Sequence, residues 1–257
     1  MRLARTEDGA SIAYRTRGSG PRNVVFLHPW GGSGSYFDET IASLDLAAVR
    51  AITLDLRGHG DSDKPDGELT LDLVAGDVLA VADDAAADRF VAVGHSMGAK
   101  FAQYLPLVAP SRVAGLVLIE SAPAGHLPTP DFVAEWVTLA GDAQAILDKA
   151  VIPYIHRPVP EHVLRRFAAN WAKIPRAYLE GTLQLVESSF RERVRSVRVP
   201  VLVVAGARDP LHSAMANDVV ASLPHARLET LDCGAEIPME MPAELAHLIE
   251  QFVADLP

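Results

Sequence analysis

Gly94-His95-Ser96-Met97-Gly98 sets a serine hydroxyl between glycines two residues before and two residues after it. The apolar run Phe90-Val91-Ala92-Val93 leads into it and a helical pattern follows, so the serine falls on a strand-to-helix turn. A serine on so sharp a turn takes a strained backbone conformation, and side chains in place of Gly94 or Gly98 would collide with neighbouring backbone. The chemistry such a geometry serves is nucleophilic attack by the raised hydroxyl on an acyl carbon. The five-residue pattern is short enough to arise by chance; the strand, turn and helix around it give it meaning.

A second run, His28-Pro29-Trp30-Gly31-Gly32-Ser33, follows the apolar segment Val24-Val25-Phe26-Leu27. Such a loop can aim backbone N–H groups at a developing oxyanion, and the expected donors are the amides of Trp30 and Met97. Gly31 and Gly32 fit an ordinary turn equally well. His28, before the apex of the loop, is expected to be a structural hydrogen-bonding residue.

These residues need a scaffold, and the apolar periodicity supplies one. Strand patterns fall at 23–27, 49–55, 89–94, 113–119, 199–205 and 227–231, and helical patterns at 71–87, 97–108, 214–223 and 243–253. The alternation implies a doubly wound, mostly parallel sheet, with the two segments before Gly18 as an antiparallel leading edge. Near-continuous apolar runs such as Val201-Leu202-Val203-Val204 suit strands covered on both faces. From 122 to 196 no strand pattern appears, only proline-punctuated helical stretches. The division expected is a core of 1–121 with 197–257 and an inserted helical cap of 122–196. An insert there overhangs the carboxyl ends of the strands, where open sheets of this kind bind ligands. Trp136 and Trp171 are therefore candidate substrate-binding residues, although cap aromatics serve equally well as the cap's own core.

Composition narrows the partners. The chain has 257 residues with 33 acids against 23 bases, a net charge of −10 that disfavours nucleic acid and anionic membranes. The expected partner is a small, apolar molecule. Cys233 is the single cysteine, so no internal disulfide forms, and no Cys/His cluster has zinc spacing; no metal or other cofactor is expected. Neither a signal-like apolar region after Met1 nor a bilayer-length apolar run occurs, and a cytoplasmic location is the expectation.

With Asp55-Leu56-Arg57-Gly58-His59-Gly60-Asp61-Ser62 added to the two loops, the chain resembles the α/β-hydrolase superfamily, in its capped esterase and lactonase-like branch. The resemblance runs along nearly the whole chain outside the cap and implies a serine, histidine and acid triad. It places the acid on Asp209, in Val201-Leu202-Val203-Val204-Ala205-Gly206-Ala207-Arg208-Asp209-Pro210, with Glu120 as the reserve because some relatives carry the acid there. It places the histidine after the last strand, in Cys233-Gly234-Ala235-Glu236-Ile237-Pro238-Met239-Glu240-Met241-Pro242. Every other part of that pattern is present, and the position expected to be histidine is Ala235. Among the other histidines, His126, His156 and His162 fall in the cap, His225 before the last strand, His247 in the terminal helix, and His59, His95 and His212 on other loops. None has the connection of a triad histidine. Ala99 and Pro29 stand where many relatives have glycine, and neither opposes an acyl intermediate.

The activity implied is hydrolysis of a small carboxylic ester or lactone, in a form inactivated by histidine-to-alanine exchange at 235. An exchange made to trap a ligand explains the intact surroundings better than natural loss. Carbon–carbon bond hydrolysis and perhydrolysis share the same triad and stay open, as does a non-catalytic ligand-binding relative. Aspartate at 96 would have suggested haloalkane or epoxide chemistry; serine argues against both.

Overall fold

The structure is a computed structural model that describes residues 1–127 and 131–257. Eight strands form one sheet: β1 (Arg2–Arg5), β2 (Ser11–Arg17), β3 (Arg22–Leu27), β4 (Val49–Leu54), β5 (Phe90–His95), β6 (Val113–Ile119), β7 (Val201–Gly206) and β8 (Ala226–Leu231), in the order β1-β2-β4-β3-β5-β6-β7-β8. The first two strands pair antiparallel, and all pairs from β4 to β8 are parallel. Every residue of β5 and β7 is buried, which requires cover on both faces and explains their unbroken apolar sequences.

The chain passes from β3 to β4 on one side and then returns to β5 on the other side of β3. That reversal is the switch point at which two carboxyl-end loops diverge and leave a crevice. The register pairs Leu27 with Gly94, so the loops carrying Trp30 and Ser96 leave the sheet side by side.

The helices of the core are α1 (Asp38–Ala42), α2 (Leu71–Asp84) and α3 (Met97–Val108). Thr70 caps α2 by accepting from the Leu73 amide at 3.1 Å. This helix stops three residues before the expected 87, because Ala86 turns to φ 50° and Ala87 N donates back to Ala82 O at 2.8 Å, a left-handed closure of the last turn.

Between β6 and β7 the described residues form no strand. They form α4 (Asp131–Val137), α5 (Ala143–Ile146), α6 (Glu161–Trp171), α7 (Arg176–Glu187) and α8 (Arg191–Val194). The remaining helices are α9 (Pro210–Ser222), α10 (Ile237–Glu240) and α11 (Pro242–Ala254). The α9 backbone begins four residues before the expected 214; proline lacks the N–H that a first turn would leave unpaired and has the right φ. His212 therefore lies on a helix, where the sequence suggested a loop, and its side chain is outside the described residues.

Candidate active site

Ser96 ends β5 and begins α3 with φ 52° and ψ −111°, a conformation that costs a non-glycine residue of order 1–3 kcal/mol. The turn is held on both sides: Ser96 N donates to Ile119 O at 2.9 Å, and Lys100 N donates to Ser96 O at 3.1 Å. Both flanking glycines are required sterically. A Cβ at Gly94 would meet Ala99 N at 2.5 Å, and one at Gly98 would meet His28 O at 2.6 Å and overlap Leu27 O.

The Trp30 loop is built to stay open at its amides. Pro29 O accepts from Gly32 N at 3.0 Å and from His28 Nδ1 at 2.8 Å, while His28 Nε2 accepts from Leu56 N at 3.0 Å. His28 is thus a neutral ring with both nitrogens engaged, and complete burial pushes it down to about 4. Gly31, at φ 77°, does more than turn the chain. Trp171 packs where its side chain would be, 2.5 Å from an ideal Cβ. The Trp30 indole donates to Leu179 O at 3.1 Å, tying the loop to α7. Among the described residues no protein acceptor takes the backbone amide of Trp30 or of Met97.

Asp209 lies past β7 and is 9% exposed. Ala207 N donates to Leu231 O at 2.8 Å and Arg208 N to Cys233 O at 3.0 Å, so the loop carrying Asp209 is laid along the loop carrying Ala235. Gly206 permits this, since a Cβ there would meet Cys233 O at 2.7 Å. Glu120 is fully buried at φ 44°, and its Oε1 accepts from Gly206 N. Its contact braces the end of β7, and it is not among the residues that border the cavity described next.

Ala235 is held by its neighbours. His95 Nε2 donates to Ala235 O at 2.9 Å, which fixes the ring's protonated nitrogen on that side. Glu240 accepts from Gly234 N and Glu236 N, both at 3.2 Å, and from His156 N and Arg157 N, both at 2.8 Å. This carboxylate therefore clamps the Ala235 loop to the segment between β6 and β7, which gives the spacing read in the sequence a structural cause. Glu236 accepts from the Tyr36 hydroxyl at 2.5 Å, and burial, first, with the Glu236 charge holds that phenol far above its ordinary range. Burial, first, with the Glu240 and Glu120 charges pushes the Cys233 thiol up to about 12, which leaves it unreactive.

A cavity of about 610 Å³ is bordered by Trp30, Ser96, Met97, Asp209 and Ala235 together. Trp136, Trp171, Tyr154 and Phe167 form its aromatic wall. Trp171 packs edge-on to Trp30 at 4.9 Å and to Trp136 at 6.0 Å, and Trp136 to Tyr154 at 5.3 Å. The two readings of these aromatics, helical-segment core and pocket wall, thus coincide in the same side chains. Tyr178 and Phe190 are buried but do not border the cavity: Tyr178 packs over Gly58, and Phe190 against Tyr104 at 5.2 Å. Burial and the nearby Asp209 charge both raise the Tyr154 hydroxyl.

Among the polar neighbours of this cavity, His95, His156 and Glu236 were given no place in it by the sequence. His95 and Glu236 are adjacent to assigned residues and were legible by position. His156 arrives through tertiary packing alone, with its Cδ2 2.6 Å from an ideal Cβ at Gly234. Its distant place in the chain does not keep it from the cavity.

A serine on a strained elbow at the switch point of this sheet defines the class: an α/β fold with a candidate nucleophile at its carboxyl edge. The sequence profile described as "Alpha/beta hydrolase family" matches residues 24–248, and the chain belongs to that family. It is 30% identical to a non-heme haloperoxidase of Rhodococcus erythropolis over 251 residues, covering 89% of this chain and 90% of that one. It is 25% identical to 3-oxoadipate enol-lactonase 2 of Acinetobacter baylyi over 252 residues, covering 95% and 94% of the two chains. The crystal structure of a hydrolase from Pseudomonas aeruginosa superposes with a TM-score of 0.83 at 26% identity, covering 98% and 97%. The chain is an α/β hydrolase.

Proposed function

We propose that this protein is a serine hydrolase of small carboxylic esters or lactones whose triad is complete except for histidine, replaced by Ala235. The observation that carries the reading is the convergence of Ser96, Asp209, Ala235, Trp30 and Met97 on one apolar cavity. In the parent form a histidine at 235 deprotonates Ser96 Oγ as it attacks the acyl carbon, and Asp209 orients the imidazole. The Trp30 and Met97 amides receive the oxyanion, and water hydrolyses the resulting acyl-enzyme. The helical segment 122–196 acts as the cap, with Trp136 and Trp171 facing an apolar substrate.

With alanine at 235 the serine keeps its proton, and loss of one triad member costs roughly 10⁴ to 10⁶ in turnover while binding groups persist. The test compares Ala235→His with the present chain on a short chromogenic ester. The expected gain is about 10³-fold or more, abolished when Ser96→Ala is added. A folded Ala235→His protein that stays inert on esters and lactones would overturn the reading.

Likeness to the haloperoxidase supports a second reading, perhydrolysis, in which hydrogen peroxide replaces water at the acyl-enzyme. Peracid formation by Ala235→His from a short carboxylic acid and peroxide, faster than ester hydrolysis, would favour it.

A further inference from the structure

We infer that the cavity beside Ala235 is a binding site for a diffusible imidazole-class base, which restores the acyl-transfer chemistry of Ser96. This inference rests on the hydrolase reading above and adds to it a ligand site that the chain's own residues define.

Three observations carry it. First, the main chain at 235 is fixed independently of any side chain there. His95 Nε2 holds Ala235 O at 2.9 Å, and Glu240 holds the amides of Gly234 and Glu236 on either side. A small side chain at 235 therefore leaves space beside it without releasing the loop to fill that space. Second, the space has the chemistry an imidazole needs at both ring nitrogens. The Asp209 carboxylate accepts from one N–H, and the Ser96 hydroxyl donates to the other nitrogen; both residues border the same cavity as Ala235. Third, size permits it. A cavity of about 150 Å³ already holds a benzene ring, so about 610 Å³ admits a five-membered ring with a short ester beside it. Apolar and aromatic walls favour a neutral heteroaromatic over its cation.

The chemistry balances with the added base alone. The unprotonated imidazole nitrogen takes the Ser96 proton while Oγ bonds to the ester carbon, and the carbonyl electrons move onto oxygen. The oxyanion collapses, the bond to the alkoxy oxygen breaks, and the imidazolium returns its proton to that leaving group. Imidazole next takes a proton from water attacking the acyl carbon, and the departing Ser96 Oγ recovers it. Acid and alcohol are released, and imidazole is unchanged.

The test adds free imidazole to the present chain, with a short chromogenic ester as substrate and Ser96→Ala protein at each concentration as the blank. Turnover above that blank is expected to rise at least tenfold and to saturate with imidazole. It should follow the unprotonated fraction of imidazole as pH increases. 1-Methylimidazole, which has no N–H for Asp209, should rescue several-fold less. A second readout is independent of turnover: intact mass should show imidazole-dependent phosphonylation of Ser96 by a fluorophosphonate. A linear rise equal to the Ser96→Ala blank, with no added labelling, would mean catalysis in solution and overturn the inference. Ala235→His, assayed in parallel, separates the two failures. If it is active while imidazole does nothing, the ligand site is wrong and the hydrolase reading stands. If it is inert as well, both fall.

Discussion

At the residue scale the elbow is the most constrained point of the molecule. Ser96 occupies a left-handed conformation, and Gly94 and Gly98 exist because other backbone occupies their Cβ positions. Gly98→Ala drives a methyl group into the Leu27 and His28 carbonyl oxygens, which are backbone atoms at the end of β3 and cannot yield as a side chain would. The expected loss is about 2–4 kcal/mol of stability, the scale of core overpacking with added backbone strain. Urea unfolding of Gly98→Ala beside Gly76→Ala measures it. Gly76 has no atom near an added Cβ, so alanine should stabilise that helical position by up to about 1 kcal/mol. Equal effects at the two glycines would refute the packing account.

At the element scale the segment between β6 and β7 is anchored to α3 by one buried cation. Lys100 is fully buried, and its ammonium donates to Gly125 O at 3.0 Å, Ser188 O at 2.6 Å and Val186 O. Those carbonyls lie at the two ends of the segment, so one side chain holds both to the helix that follows Ser96. Burial pushes the ammonium down to about 8, against the pull of Glu187. Lys100→Met preserves much of the volume and strands three carbonyls, each costing about 1–3 kcal/mol if water cannot reach it. Hydrogen exchange should accelerate around 122–127 and 186–190 while β3 and β5 keep their protection; uniform acceleration would mean global destabilisation instead. This anchor also marks how far the sequence was legible. Strand and helix patterns located β3, β5, β6, β7, β8 and α3 because apolar periodicity reports local burial, and motifs brought Ser96, Asp209 and Ala235 forward because their spacing follows the strands. Lys100, Tyr36 and His156 gave no local signal of their role, since each acts on backbone or side chains far along the chain. The short α1 and α10 were equally silent: one helical turn is too brief for a period to register.

At the scale of the whole molecule, the acid response turns on two histidines locked into the fold without protons to spare. His28 and His59 are fully buried with rings 4.9 Å apart, His28 pushed down to about 4 and His59 to about 3, by burial first; at His59 the neighbouring His28 also opposes a charge. His59 Nδ1 donates to Arg57 O at 3.0 Å, and its Nε2 has no hydrogen-bond partner among the described residues, so a second proton would be buried without an acceptor. The unfolded chain binds these protons near pH 6.5 and the native chain does not. Each histidine therefore stabilises the fold fully above that pH. Its contribution falls by about 1.4 kcal/mol per pH unit as pH drops toward the native value. Asp232, held down to about 2 by its Arg208 hydrogen bonds, contributes above about 3.8 and loses that contribution only at lower pH. Between pH 6.5 and 4.5 the histidines thus act ahead of that carboxylate. His59→Gln should reduce the slope of unfolding free energy against pH in this window by about one proton's worth. Urea titrations at pH 7, 6, 5 and 4.5 read that slope whatever the variant's absolute stability. An unchanged slope would show that His59 already exchanges its proton freely in the native state, and the buried pair would no longer account for acid sensitivity.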